Sequence, residues 1–206
     1  MSAAQDPRQG GGQAELAPED AARAAIYGLI ARLFYSAPDK DLLGQIVRAD
    51  LFDAGESAPS RAWRELVSAC RDALPAALES EHTELFVGTG KSDVTPYLSH
   101  YVLKHANDNP LVALRQQLAA WRIGRRESAF ENEDHIAGVC ETMRFAIAVQ
   151  HRSEEDQKGF FERFVYPGAT AFCNAVNASP KASFYGVAAR FTRAFLEVER
   201  EAFSML

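Results

Sequence analysis

Apolar residues recur at i, i+3 and i+4 along most of the chain, the period of helices with one buried face. Ala22, Ala25, Ile26, Leu29, Ile30, Leu33 and Phe34 predict a first helix from Pro18, ended by Ser36-Ala37-Pro38-Asp39. Pro18 suits a first turn, and Glu19 and Asp20 suit the positive end of the dipole. Leu42, Leu43, Ile46 and Val47 predict a short second helix. Ser60 is the expected N-cap of a third, carrying Trp63, Leu66, Val67 and Cys70, with Pro75 as a kink or new start and Ala76 to Val87 completing this arm. Asn107-Asp108-Asn109-Pro110 reads as a cap followed by proline at the first helical position. Leu111, Leu114, Leu118, Trp121 and Ile123 follow as its apolar side, and Gly124 is the expected end. Glu131 to His135 opens a helix carrying Ile136, Val139, Cys140, Met143, Phe145 and Ile147. Ser153 to Lys158 starts another, with Phe160, Phe161, Phe164 and Val165, and Tyr166-Pro167-Gly168 is expected to break it. Phe184, Val187, Ala188, Phe191, Phe195 and Val198 stripe the last helix. No strand-like alternation persists and no solenoid repeat is present. The pattern predicts an all-α, single-domain helical bundle of about eight to ten helices over residues 18–206. Residues 1–17, small, polar and Gly-rich, are expected to be a disordered tail.

One stretch resists the helical pattern: Glu84 to Tyr101, E-L-F-V-G-T-G-K-S-D-V-T-P-Y-L-S-H-Y. Gly88 and Gly90 permit positive φ where a helix stops, and Pro96 pushes Thr95 out of the helical region. Phe86, Val87, Tyr97, Leu98 and Tyr101 are thus carried on irregular backbone, a better setting for recognition than for packing alone.

Composition narrows the field. With 47% hydrophobic and 24% charged residues the chain is globular, and no apolar run approaches the ~20 residues of a membrane helix. No signal-peptide core stands at the N-terminus, so the expectation is a cytoplasmic protein. The net charge of −6 disfavours nucleic acid and suits a basic partner. Cys70, Cys140 and Cys173 are odd in number and dispersed, as buried reduced thiols are. Sequence signatures of nucleophile elbows, phosphate loops, zinc helices and thiol pairs are all missing. Glu79-x-x-His82 has di-iron spacing, but a di-iron bundle needs a second such pair and further glutamates. His100 and His105 share no helix face. Neither a catalytic residue nor a cofactor or metal is expected.

Glu131, Glu133, Asp134 and His135 admit two readings. They are the acids of a helix start, satisfying orphan N–H groups and the dipole. Alternatively, they are carboxylates and one imidazole beside a groove, fit to hold Arg or Lys of a bound peptide.

Leu85-Phe86-x-Gly88-x-Gly90, then Pro96-Tyr97-x-Ser99-x-Tyr101, then Glu131-x-x-Asp134-His135-Ile136, resembles the TorD/DmsD family of redox-enzyme maturation chaperones. The resemblance covers the central half of the chain, and the helical flanks agree with it. It implies a TorD-like helical, cytoplasmic chaperone without catalysis. Such a chaperone binds the twin-arginine signal peptide and precursor of a molybdenum-cofactor oxidoreductase until the cofactor is inserted. Glu133-Asp134-His135-Ile136 looks like members associated with formate dehydrogenases. Some members form domain-swapped homodimers, and some are linked to guanine nucleotides. The peptide-binding residues so implied are Glu84, Leu85, Phe86, Pro96, Tyr97, Ser99, Tyr101, Glu131, Glu133, Asp134 and His135. Leu85, Phe86, Tyr97 and Tyr101 would form an apolar wall for the leader's hydrophobic segment, and the acids would face its arginines. The competing readings are a helical metal enzyme built on Glu79 and His82, and a helical adaptor that binds no leader.

Overall fold

A computed structural model describes residues 16–49, 52, 55–88, 92–102, 109–124 and 131–206. The predicted tail falls, up to residue 15, outside them, as do Thr89, Gly90 and the capping candidates Asn107 and Asp108. Among the described residues, ten α-helical segments run in order: α1 (Pro18–Tyr35), α2 (Lys40–Arg48), α3 (Ala58–Asp72), α4 (Pro75–His82), α5 (Ser99–Val102), α6 (Pro110–Ala120), α7 (Ile136–Ala148), α8 (Glu154–Phe160), α9 (Tyr166–Ala178) and α10 (Phe184–Ser204). The π-turns Thr83–Val87 and Phe161–Val165 prolong α4 and join α8 to α9. The fold is all-α, as the apolar period predicts.

Helices α1 and α7 form the central pair, and α10 packs on α3 and α9. Their buried faces meet in one core that holds Tyr27, Ile30 and Phe34 of α1, Met143 and Ile147 of α7, Phe172 of α9 and Tyr185 and Phe191 of α10. Edge-on aromatic contacts tie it together, among them Phe34 to Phe172 at 5.1 Å and Phe86 to Tyr185 at 5.0 Å. The one buried carboxylate of α10, Glu199, is matched by a bidentate Arg23 at 2.7 and 3.0 Å and by the Tyr27 hydroxyl at 2.9 Å. A second long-range device starts α10. Both oxygens of Glu81, from α4, accept the N–H groups of Ser183, Phe184 and Tyr185, which no residue of α10 itself could satisfy.

Three local expectations change. The N-cap of α3 is Ser57 rather than Ser60: Ser57 Oγ accepts the Ser60 N–H, and Ser60 is buried inside the first turn. Tyr166-Pro167-Gly168 does not break the helix. The Tyr166 N–H reaches back five residues to the Phe161 carbonyl, and the widened turn accommodates a proline whose missing N–H would otherwise interrupt the ladder. Finally, α6 stops at Ala120 and not at Gly124. Arg122 turns left-handed at φ 55°, and the N–H groups of Arg122 and Ile123 close on Ala119 and Leu118. That is the paired closure of a helix end in which glycine usually takes the left-handed place. Among the described residues, no helix is long and apolar enough to cross a membrane.

Candidate functional site

From residue 92 the irregular stretch forms a strap laid across α9. Gly88, at φ 62°, closes the first π-turn through its N–H to Thr83 O, and the Val94 N–H returns to Leu85 O at 2.8 Å. The strap then crosses α9 at Gly168, where a methyl group would stand 2.7 Å from Leu98 Cβ and 3.2 Å from Leu98 O. Glycine there permits an approach that no side chain would allow.

Beyond the crossing the strap meets the acidic turn. Tyr97 and His135 form an isolated antiparallel bridge, closed by Leu98 N–H to Asp134 O at 2.8 Å and Ile136 N–H to Pro96 O at 2.9 Å. Side chains reinforce it. The Tyr97 hydroxyl donates to Glu131, the Ser99 hydroxyl donates to Asp134, and the rings of Tyr97 and His135 meet edge-on at 5.7 Å. Tyr97 holds its proton, its pKa pushed up to about 12 by burial and then by the Glu131 carboxylate. His135 caps α7, its Nδ1 accepting the Ala137 N–H, so its proton sits on Nε2. Burial lowers its pKa; Glu131 and Asp134 oppose that, and His82 adds to it.

Of the eleven residues singled out in the sequence, Pro96, Tyr97, Ser99, Glu131, Asp134 and His135 are thus brought together by direct bonds. Glu133 stands in the same turn and pairs with Arg115 at 3.0 Å. Tyr101 is half-buried and steadies the strap by donating to Thr95 O. Leu85 and Phe86 face inward: Leu85 is fully buried, and Phe86 packs among Phe34, His82, Phe172 and Tyr185. An exposed wall built from them is therefore absent in this structure, because the π-turn rotates both toward the core. Glu84 is exposed on the same π-turn and joins none of these contacts.

The open surface lies elsewhere. A cleft of about 830 Å³ runs between the C-terminal half of α1, the end of α6 and the first turns of α7, floored by Leu42, Leu118, Ile123, Ala137 and Phe145. Tyr35 and Glu133 line it, and Tyr35 stands edge-on to His135 at 6.3 Å, which joins the cleft to the strap. Asp134 opens on a different space, a hollow of about 20 Å³ shared with Ser99, Val102, Leu114, Arg163 and Phe164. Its Oδ1 is buried and has no hydrogen-bond partner among the described residues, an expensive state for a carboxylate oxygen unless a donor is to come. Sequence reasoning missed Tyr35, which reads as the end of a core stripe, and His82, set aside as half of an incomplete metal pair. Among the described residues no group of three or more His, Cys, Asp or Glu could hold a metal ion.

The chain is similar to known proteins. The family model for the nitrate reductase delta subunit matches residues 52–174, more than half of the chain, and spans the strap and the acidic turn. The chain belongs to the nitrate reductase delta subunit family. Members of this TorD-like family are chaperones that mature redox enzymes rather than catalysts, so this family member is a maturation chaperone and not an enzyme. The fold is also that of a solved structure, a candidate redox enzyme maturation protein from Archaeoglobus fulgidus. The two share a TM-score of 0.55 and 20% identity, over 89% of this chain and 96% of that one. No curated protein matches the chain significantly.

Proposed function

We propose that the strap and the acidic turn bind the arginine-bearing leader of a redox enzyme precursor in the cytoplasm and hold that precursor while its cofactor is inserted. A molybdenum-cofactor enzyme, of formate dehydrogenase or related type, is the proposed client. The observation that carries the reading is the buried, unpartnered Oδ1 of Asp134 in a turn locked to Tyr97. A guanidinium supplies the donors such an oxygen lacks, in a short charge-assisted bond. Glu133, held by Arg115, faces the cleft while Asp134 opens on the hollow, so the turn presents a carboxylate on each of two sides. The neutral His135 offers its Nε2–H to a peptide carbonyl. The apolar segment behind the arginines finds Leu118, Ile123, Ala137 and Phe145 in the cleft, the helix-in-groove mode of recognition. Leu85 and Phe86 act in this reading as the packed support of the strap.

Calorimetry with a synthetic twin-arginine leader peptide tests it. Asp134→Asn should weaken binding by tenfold or more, about the cost of removing one partner of a desolvated charge pair. A lysine-lysine peptide should bind more weakly than the arginine form, because the ammonium lacks the planar fork. Unchanged affinity in both Asp134→Asn and Glu131→Gln would remove the site.

A further inference from the structure

The cleft is electrically directional. Tyr35 lies beside His135, while a methyl group at Gly28 would meet Arg144, so α1 runs antiparallel to α7. Arg115 pairs with Glu133, and Gln150 bonds Trp121 O, so α6 runs parallel to α7. The cleft therefore has an end at Glu133, Asp39 and Tyr35 and an opposite end at Arg122 and Arg144. Most of its charged groups are already engaged. Asp39 caps α2, Glu133 pairs with Arg115, Glu141 with Arg144, and Arg32 bonds Gln45. Arg122 is exposed, lines the cleft and has no side-chain partner among the described residues. It also occupies the left-handed position that ends α6, at φ 55°, where glycine would sit without strain. A left-handed arginine at a cleft, with no side-chain partner among the described residues, points to a role for its guanidinium outside the fold.

We infer that Arg122 receives the C-terminal end of the helical segment docked in the cleft and so sets the direction in which that segment binds. This rests on the leader-binding reading above. A leader carries its arginines ahead of its apolar run, so a helix with its arginines at the Glu133 end points its last carbonyls toward Arg122. Those carbonyls carry roughly half a negative charge and lack intrahelical partners, and a guanidinium at that end stabilises them. The acidic end and the basic end then match the two ends of one peptide, and a helix laid in reverse meets like charge at both.

The test uses the full chain and a synthetic peptide of two arginines followed by an apolar run of about twelve Leu and Ala residues, amidated at its end. Arg122→Gly removes the guanidinium and relieves the backbone at once. Its melting temperature should equal or exceed that of the wild type, while its affinity for the peptide should fall about three- to tenfold. Arg122→Lys should recover part of the affinity. Ending the peptide in Asp should tighten binding to the wild type and leave Arg122→Gly unmoved. If the wild type takes up none of the peptide, the leader reading falls and this inference with it. If the wild type binds and Arg122→Gly binds equally well, only the role of Arg122 falls. A lowered melting temperature in Arg122→Gly would overturn the view that this side chain is kept for the ligand rather than for the fold.

Discussion

Gly168 and Gly159 carry the same substitution to opposite outcomes. In a helix, Gly→Ala ordinarily gains about 0.5–1 kcal/mol, because glycine loses more backbone freedom on folding. Gly159 of α8 is exposed with nothing within 4 Å of the added methyl, so that gain should be realised in full. At Gly168 the methyl would lie 2.7 Å from Leu98 Cβ, an atom fixed to the backbone that no rotamer change can carry away. Relief requires moving the strap, and Leu98 and Pro96 hold the two bonds that join it to the acidic turn. Overpacking of this kind costs about 1–3 kcal/mol, and each ladder bond weakened adds about 1 kcal/mol. Set against the propensity gain, the net effect is a loss of about 1–3 kcal/mol. At roughly 2–4 °C per kcal/mol for a chain of this size, calorimetric melting should fall by about 3–8 °C for Gly168→Ala and rise by about 2 °C for Gly159→Ala. Gly168→Ala should also weaken the leader peptide, whereas Gly159→Ala should not. Melting shifts of the same sign in the two variants would refute the close crossing of strap and helix.

Four further outcomes follow from named contacts. Glu199→Ala should cost about 3 kcal/mol in chemical denaturation, because it leaves Arg23 and the buried Tyr27 hydroxyl without their shared partner. Glu81→Ala should cost about 1–2 kcal/mol by exposing three unsatisfied N–H groups at the start of α10, read as faster amide exchange there. Tyr97→Phe should cost about 1 kcal/mol and weaken peptide binding, since it frees Glu131 from the strap. His82 and His135 both sit below their ordinary 6.5 because burial disfavours the imidazolium. The folded state therefore binds fewer protons than the unfolded chain below that pH, and stability falls as the medium is acidified from 6.5. A pH series of melting temperatures should show that loss, and replacing both histidines by glutamine should flatten it.

The sequence made the helices legible and the turns between them much less so. Period alone located α1, α7 and α10, since their apolar stripes face one core, and Asn109-Pro110 marked the start of α6 through a cap that the structure keeps. Composition cannot reveal a π-turn. Tyr166-Pro167-Gly168 reads as a break by local rules, and only the i to i−5 bond from Tyr166 shows how the helix passes through a proline. The same blind spot affects Leu85 and Phe86, whose inward rotation depends on an extra residue per turn that no side-chain pattern encodes. The site was half visible. Pro96-Tyr97 and Asp134-His135 stood out as irregular or charged, but that they pair with each other is a tertiary fact. Tyr35 and Arg122 carried no local signal. The first looks like one more aromatic in a stripe, and the second like a helix-end cation.

The bridge between Tyr97 and His135 joins segments separated by the whole of α5 and α6. Shorter stretches cost less entropy to close, and the central pairing of α1 with α7 spans far more of the chain than this bridge does. The bridge therefore ties α5 and α6 into a loop anchored at the start of α7, a closure whose entropic cost is modest beside that of the core. If the strap and acidic turn hold a leader as proposed above, fraying of the first turn of α7 would undo both at once, and such a copy would release its cargo in a single step.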